Sequence, residues 1–129
     1  MSTSNILVII ESAAMTKILI FGAGGVGCIY GSILERGGAS VTAVCRTNYE
    51  QVKKNGILIR SAKWATFRSY PTAVRTAAEA KQHGPFDFIL VCSKAYPGLA
   101  ELIRDAVTPE SAIVLAQNGI GIELSLIHI

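Results

Sequence analysis

The residues that could do chemistry stand at the ends of apolar runs. Lys17-Ile18-Leu19-Ile20-Phe21 leads into Gly22-Ala23-Gly24-Gly25-Val26-Gly27. The spacing Gly22-x-Gly24-x-x-Gly27, behind a strand-type run and ahead of a helical pattern, is that of a dinucleotide-binding turn. In such a turn Gly22 permits the sharp exit from the strand. Gly24 lets a pyrophosphate approach the backbone, and Gly27 lets the next helix pack hard against the strand. The phosphates would lie at the helix N-terminus, where free N–H groups and the helix dipole favour an anion. The alternative is a glycine-rich turn with no ligand. A second apolar run, Ser40–Cys45, ends in Arg46, 19 residues after Gly27. NAD-binding turns place an Asp or Glu about 20 residues beyond the glycines, on the ribose 2′-OH. No acid stands here, and the nearest is Glu50. Arg46 is a planar cation suited to a 2′-phosphate, which favours NADP over NAD. Otherwise it is a solvated charge at a strand end. Thr47 and Asn48 are placed to add hydroxyl and amide contacts to the same phosphate.

Two further sites follow later runs. Ser93-Lys94-Ala95-Tyr96 succeeds Asp87–Cys92, and Gln117-Asn118-Gly119-Ile120-Gly121 succeeds Ala112–Ala116. Ligands of open α/β sheets bind outside the carboxyl ends of the strands. Lys94 is therefore placed to meet cofactor or substrate, and Asn118 can donate and accept hydrogen bonds there. The competing readings are an exposed strand-capping Lys and a turn-forming Asn-Gly pair.

These positions require a frame of alternating strands and helices. Strands are expected at 17–21, 40–45, 71–74, 87–92 and 112–116. Helices are expected at about 26–36, at 49–55, weakly at 76–82, and at 98–107. In the first helix Val26, Ile29, Tyr30, Ile33 and Leu34 recur at three and four residues and predict one buried face. In the last, Leu99, Leu102, Ile103 and Ala106 do the same. Ile57–Arg60 and Thr66–Tyr70 read as a small antiparallel hairpin, with Trp64 packing beneath it. The fold expected is α/β, a doubly wound parallel sheet of Rossmann type with that hairpin inserted, its βαβ crossover right-handed.

The chain has 129 residues, enough for one domain. Half of them are hydrophobic and 16% charged, which supports a buried core. The mean hydropathy of +0.43 suits parallel strands covered on both faces. No apolar run approaches the roughly 20 residues that cross a bilayer. The net charge of +3 is spread thinly, so neither nucleic acid nor membrane is indicated as a partner. Cys28, Cys45 and Cys92 have no metal-ligand spacing. They read as small buried hydrophobes in a cytoplasmic protein, with no metal site expected. His83 reads as solvated. Residues 1–14 are expected to form a disordered extension. They carry the apolar run Ile6–Ile10 but lack the basic flank of a secretory signal and the arginines of a mitochondrial one. The domain proper is expected over 15–123, beginning at Met15.

The glycine turn, Arg46, Ser93-Lys94-Ala95-Tyr96 and Gln117-Asn118-Gly119-Ile120-Gly121, in this order, resemble the N-terminal domain of ketopantoate reductase (2-dehydropantoate 2-reductase) over about 16–123. The glycine motif is shared by many dehydrogenases; the two later motifs are much more specific. The resemblance implies an oxidoreductase that uses NADPH to reduce ketopantoate, a 2-oxo acid, to pantoate in pantothenate biosynthesis. It implies that Gly22, Ala23, Gly24, Gly25, Val26 and Gly27 hold the pyrophosphate, Arg46 the 2′-phosphate, and that Lys94 and Asn118 lie along the cofactor. It further implies a second, helical domain that supplies the proton-donating lysine, so no catalytic residue is expected in this chain. Residues 124–129 depart from the family pattern and read as a truncated or out-of-frame tail. On this reading the chain is the cofactor half of a reductase and inactive alone, with exposed apolar surface that invites homodimerisation. The competing reading is a non-catalytic NADP-binding module or sensor.

Overall fold

A computed structural model describes residues 16–60, 62, 66–94 and 97–116. The expectations for residues 1–14, Trp64, Ala95, Tyr96, Asn118 and 124–129 lie outside them. The elements are β1 (Lys17–Phe21), α1 (Gly25–Arg36), β2 (Ser40–Val44), α2 (Tyr49–Asn55), β3 (Ile57–Ile59), β4 (Phe67–Ser69), β5 (Thr72–Val74), α3 (Ala77–Ala80), β6 (Phe88–Val91), α4 (Leu99–Ile103) and β7 (Ala112–Leu115). Single 3₁₀ turns follow α3 and α4.

Five strands form one parallel sheet in the order β5-β2-β1-β6-β7, so β1 is central. The strands show why their sequences read as unbroken apolar runs. Successive side chains point to opposite faces, and both faces are covered. From β1, Leu19 and Phe21 join one core cluster with Val44, Ile89, Val91 and the buried residues of α3 and α4. Ile18 and Ile20 join another with Val41, Ala43, Cys45 and Val52 of α2. This is the doubly wound arrangement the alternation of elements predicts.

The buried faces of two helices differ from expectation. In α1 Val26, Ile29, Tyr30 and Ile33 are 40–49% exposed, and only Leu34 of the expected set packs against the core. The buried residues of α1 are Gly27 and Gly31, which lie against β1 and β2, and Ser32, which faces the hairpin. The cause is close approach. A Cβ at Gly31 would sit 3.3 Å from Ile20 Cγ1 and 3.7 Å from Val41 Cγ1, so the backbone itself lies on the strands. A face made of glycines displaces the bulky residues outward. In α4 the seam is Leu99, Ala100, Ile103 and then Ala106, while Leu102 is exposed. Ala100 takes the inner position because it too is small.

The inserted hairpin is present, β3 pairing antiparallel with β4 from Ile57↔Ser69 to Ile59↔Phe67. Side chains of α1 fasten it. The Tyr70 N–H donates to Glu35 Oε1 at 2.9 Å, and the Arg36 guanidinium lies 4.5 Å from the Phe67 ring centroid. Ser32 and Ser69 share a buried hydroxyl–hydroxyl bond of 2.8 Å. Each of these serines satisfies the other in a dry place. Ser32→Ala or Ser69→Ala alone is therefore expected to cost about 1–3 kcal/mol, because one buried hydroxyl loses its partner. The double alanine variant is expected to lie closer to wild type than either single one. Urea melts of the three variants check this; simply additive losses would show that the hydroxyls are not coupled.

Candidate functional site

The carboxyl ends of β1, β2, β6 and β7 surround a cleft of about 900 Å³. Chain direction places it there. From β1 the chain turns to α1 on one face of the sheet, and from β6 it turns to α4 on the other, so the two connections diverge at the β1–β6 boundary. Such a boundary is the switch point at which open α/β sheets bind ligands. Ladder-like bonds continue past the strand ends and hold each loop in place. The Ala23 N–H donates to Val44 O (3.1 Å), Cys45 N–H to Val74 O (2.8 Å), Cys92 N–H to Phe21 O (2.9 Å) and Ala116 N–H to Val91 O (3.0 Å).

Gly22 to Val26 line the cleft from β1, Arg46 to Asn48 from β2, Cys92 to Lys94 from β6, and Ala116 from β7. The structure thus brings the glycine turn, Arg46 and Lys94 to one place. Sequence motifs do not single out Cys92 and Ala116; their only signal is that each closes a strand. Arg46 and Lys94 are exposed, and no carboxylate is among the lining residues. Glu50, the acid nearest Arg46 in sequence, is held by Arg75 at 2.9 Å, the only ion pair among the described residues. The cleft therefore presents positive charge and polar groups to whatever enters.

The three motif glycines have different surroundings. Gly22 has φ +99°, and a Cβ there would come within 2.9 Å of Ser93 Cα and Cβ, so the turn at β1 and the loop after β6 touch. A Cβ at Gly27 would overlap the Gly22 carbonyl oxygen. Gly24 is the opposite case: no atom lies within 4 Å of where its Cβ would be. Gly24 is also the N-cap of α1; it offers no side-chain cap, and the first turn carries no acidic residue. The amide end of α1 is thus left to external acceptors. A phosphate fits such a cradle in shape and in charge.

Burial disfavours the thiolate form of all three cysteines. Burial pushes the Cys45 thiol up to about 11, with the neighbouring Cys28 adding to the effect. Burial also raises Cys28 and Cys92. Protonated thiols at neutral pH are poor nucleophiles. No group of three or more His, Cys, Asp or Glu among the described residues could hold a metal ion. No helix among them is long and apolar enough to cross a membrane.

A parallel sheet in this order, with a glycine turn and a basic cleft at its switch point, defines an α/β domain of Rossmann class. The chain belongs to the ketopantoate reductase family: the sequence profile described as ketopantoate reductase PanE/ApbA matches residues 18–129. Among its relatives is the uncharacterized oxidoreductase YkpB of Bacillus subtilis, 37% identical over 107 residues, covering 80% of this chain and 33% of that protein. Another is the 2-dehydropantoate 2-reductase of a Nostoc species, 26% identical, covering 88% of this chain and 35% of that one. The crystal structure of 2-dehydropantoate 2-reductase from Methylococcus capsulatus superposes with a TM-score of 0.76 at 42% identity, covering 85% of this chain and 36% of that one. The chain thus spans about a third of the length of these proteins.

Proposed function

We propose that this chain is the NADP-binding part of a 2-dehydropantoate 2-reductase, which reduces ketopantoate to pantoate. The observation that carries the reading is Gly24. Chain packing accounts for glycine at 22 and 27 but leaves the space above Gly24 open, on the floor of a basic cleft. In this reading the amides of Gly24, Gly25 and Val26 hold the pyrophosphate at the start of α1. Arg46 meets the 2′-phosphate, and Lys94 stands on the far wall of the cleft beside the cofactor. The sequence motif adds Asn118. When bound, the nicotinamide supplies a hydride to a carbonyl carbon, and an acid protonates the oxygen. The chain's own residues bind and orient; the acid and the substrate contacts are proposed to lie in the portion that the relatives carry beyond this match. Isothermal titration of the chain with NADP⁺ and NAD⁺ tests the reading. Saturable one-site binding, tighter for NADP⁺, is expected. Binding of neither dinucleotide overturns it.

A further inference from the structure

Asn48 stands where its chemistry is ordinarily spent on its own helix. It is the N-cap of α2, and Asn is among the best N-caps because its side-chain oxygen accepts an amide of the first turn. Here it makes no capping bond. Its amide nitrogen reaches instead across 25 residues and donates to the Ala23 carbonyl at 2.9 Å. The acceptor is a carbonyl, so only the NH₂ end of the side chain can make this bond. The sequence suggests Asn48 as a direct phosphate contact; the structure commits that nitrogen to the glycine turn.

Ala23 is held on every side. It is buried, its N–H donates to Val44 O, and its carbonyl also receives the Cys28 thiol at 3.3 Å. The Ala23 carbonyl and the Gly24 N–H belong to one planar trans peptide and point in opposite directions. A donor that fixes the first therefore fixes the second. Gly24 has open space where a Cβ would stand; its carbonyl accepts the Cys28 N–H at 2.8 Å, and it caps the helix whose amide end faces the cleft. Asn48 lies two residues after Arg46 on the same loop. One hydrogen bond thus ties the turn proposed to hold the pyrophosphate to the loop proposed to hold the 2′-phosphate.

We infer that Asn48 is a positioning residue for the dinucleotide: it orients the Ala23–Gly24 peptide and sets its distance from Arg46, and does not itself bind the 2′-phosphate. The inference rests on the proposed cofactor reading. It separates ligands by which parts of the cleft they span. NADP⁺ and NAD⁺ both cross the glycine turn, whereas 2′-AMP engages only the Arg46 end.

The test measures the affinity of the full chain for NADP⁺, NAD⁺ and 2′-AMP in wild type, Asn48→Ala and Asn48→Asp, with circular dichroism to confirm folding. At pH 7.5 both variants are expected to weaken NADP⁺ and NAD⁺ at least about three- to tenfold, the scale of one hydrogen bond, and Asn48→Ala to leave 2′-AMP within about twofold; the carboxylate of Asn48→Asp also repels phosphate beside Arg46, so 2′-AMP is compared in Asn48→Ala alone. Asn48→Asp provides a second readout that a general loss of structure would not move. Its ionised carboxylate cannot donate to Ala23, but its protonated form can. The gap from wild type in NAD⁺ affinity is therefore expected to close as the pH falls to about 4.5, through the carboxyl range. If Asn48→Ala does not fold, the near-isosteric Asn48→Asp carries the test alone. Unchanged dinucleotide affinity overturns the inference, as does a loss confined to NADP⁺ and 2′-AMP, or a gap that persists in acid. Wild type that binds no dinucleotide overturns the cofactor reading and the inference with it; wild type that binds while the variants match it overturns the inference alone.

Discussion

Alanine at Gly24 and alanine at Gly27 are expected to fail in opposite ways, although the two changes are chemically identical. At Gly27 the added methyl overlaps the Gly22 carbonyl oxygen and presses on Ile20 Cγ2 at 3.1 Å. Backbone cannot yield as a flexible side chain can, so α1 must lift from β1. Overpacking of this kind costs about 1–3 kcal/mol or more. At roughly 4–8 °C per kcal/mol for a domain near this size, the melting temperature should fall by about 10 °C. At Gly24 the methyl enters open space, and the backbone, at φ −82° and ψ −160°, is extended and accepts any residue. The stability change should stay below about 1 kcal/mol, the difference between Gly and Ala as N-caps. Binding should fail there instead. The methyl occupies the approach proposed for the pyrophosphate, and losing charge-assisted contacts there should weaken NADP⁺ by about a hundredfold or more. Thermal melts and calorimetric titration of both variants decide it. A Gly24→Ala variant that binds normally would mean that phosphate does not approach at Gly24. A Gly27→Ala variant that melts with wild type would mean that α1 is less closely seated than its geometry implies.

Much of this frame is legible in the residue pattern alone. Lys17–Phe21 and Tyr49–Asn55 fall where their patterns put them, because continuous apolar runs have few uses other than a strand covered on both faces, and because Gly56 stops α2 outright. The strand ends then locate the cleft, since chemistry in this topology gathers at carboxyl edges, and Gly22 to Val26, Arg46 and Lys94 meet there. What periodicity could not reveal is which face of α1 turns inward. The pattern weighs residues by size and hydrophobicity and so selects Val26, Ile29, Tyr30 and Ile33. Contact is instead decided by how near the backbone can come, and glycines win that competition. The role of Asn48 is hidden for a different reason. Its local context, one residue ahead of a helix, describes a cap, and only the folded chain brings Ala23 within its reach. A side chain that bridges loops 25 residues apart leaves no periodic trace.

Arg46 is expected to carry most of the preference for NADPH over NADH. It is exposed on the wall of the cleft that follows β2, and no carboxylate lines that cleft to accept a ribose 2′-OH. The nearest acid in sequence, Glu50, pairs with Arg75 and does not line the cleft, so it does not substitute for the missing acceptor. A hydrogen bond to a charged group is worth about 1.5–3 kcal/mol, or roughly tenfold to more than a hundredfold in affinity. Arg46→Ala should therefore weaken NADPH by that factor and leave NADH almost unchanged, since NADH has no phosphate for the guanidinium to meet. Arg46→Asp should go further, because the new carboxylate repels a 2′-phosphate and offers an acceptor to a 2′-OH, so that the preference reverses. Titrations of both cofactors at one fixed salt concentration are needed, because an exposed ionic contact weakens as salt rises. The same contact predicts that the NADPH advantage of wild type shrinks with added salt while that of Arg46→Ala, already small, does not. Equal losses for both cofactors would assign Arg46 to the fold or to the adenine. No loss for either would make it a solvated charge at the end of β2, and the discrimination would have to come from Thr47 or from Lys94 across the cleft.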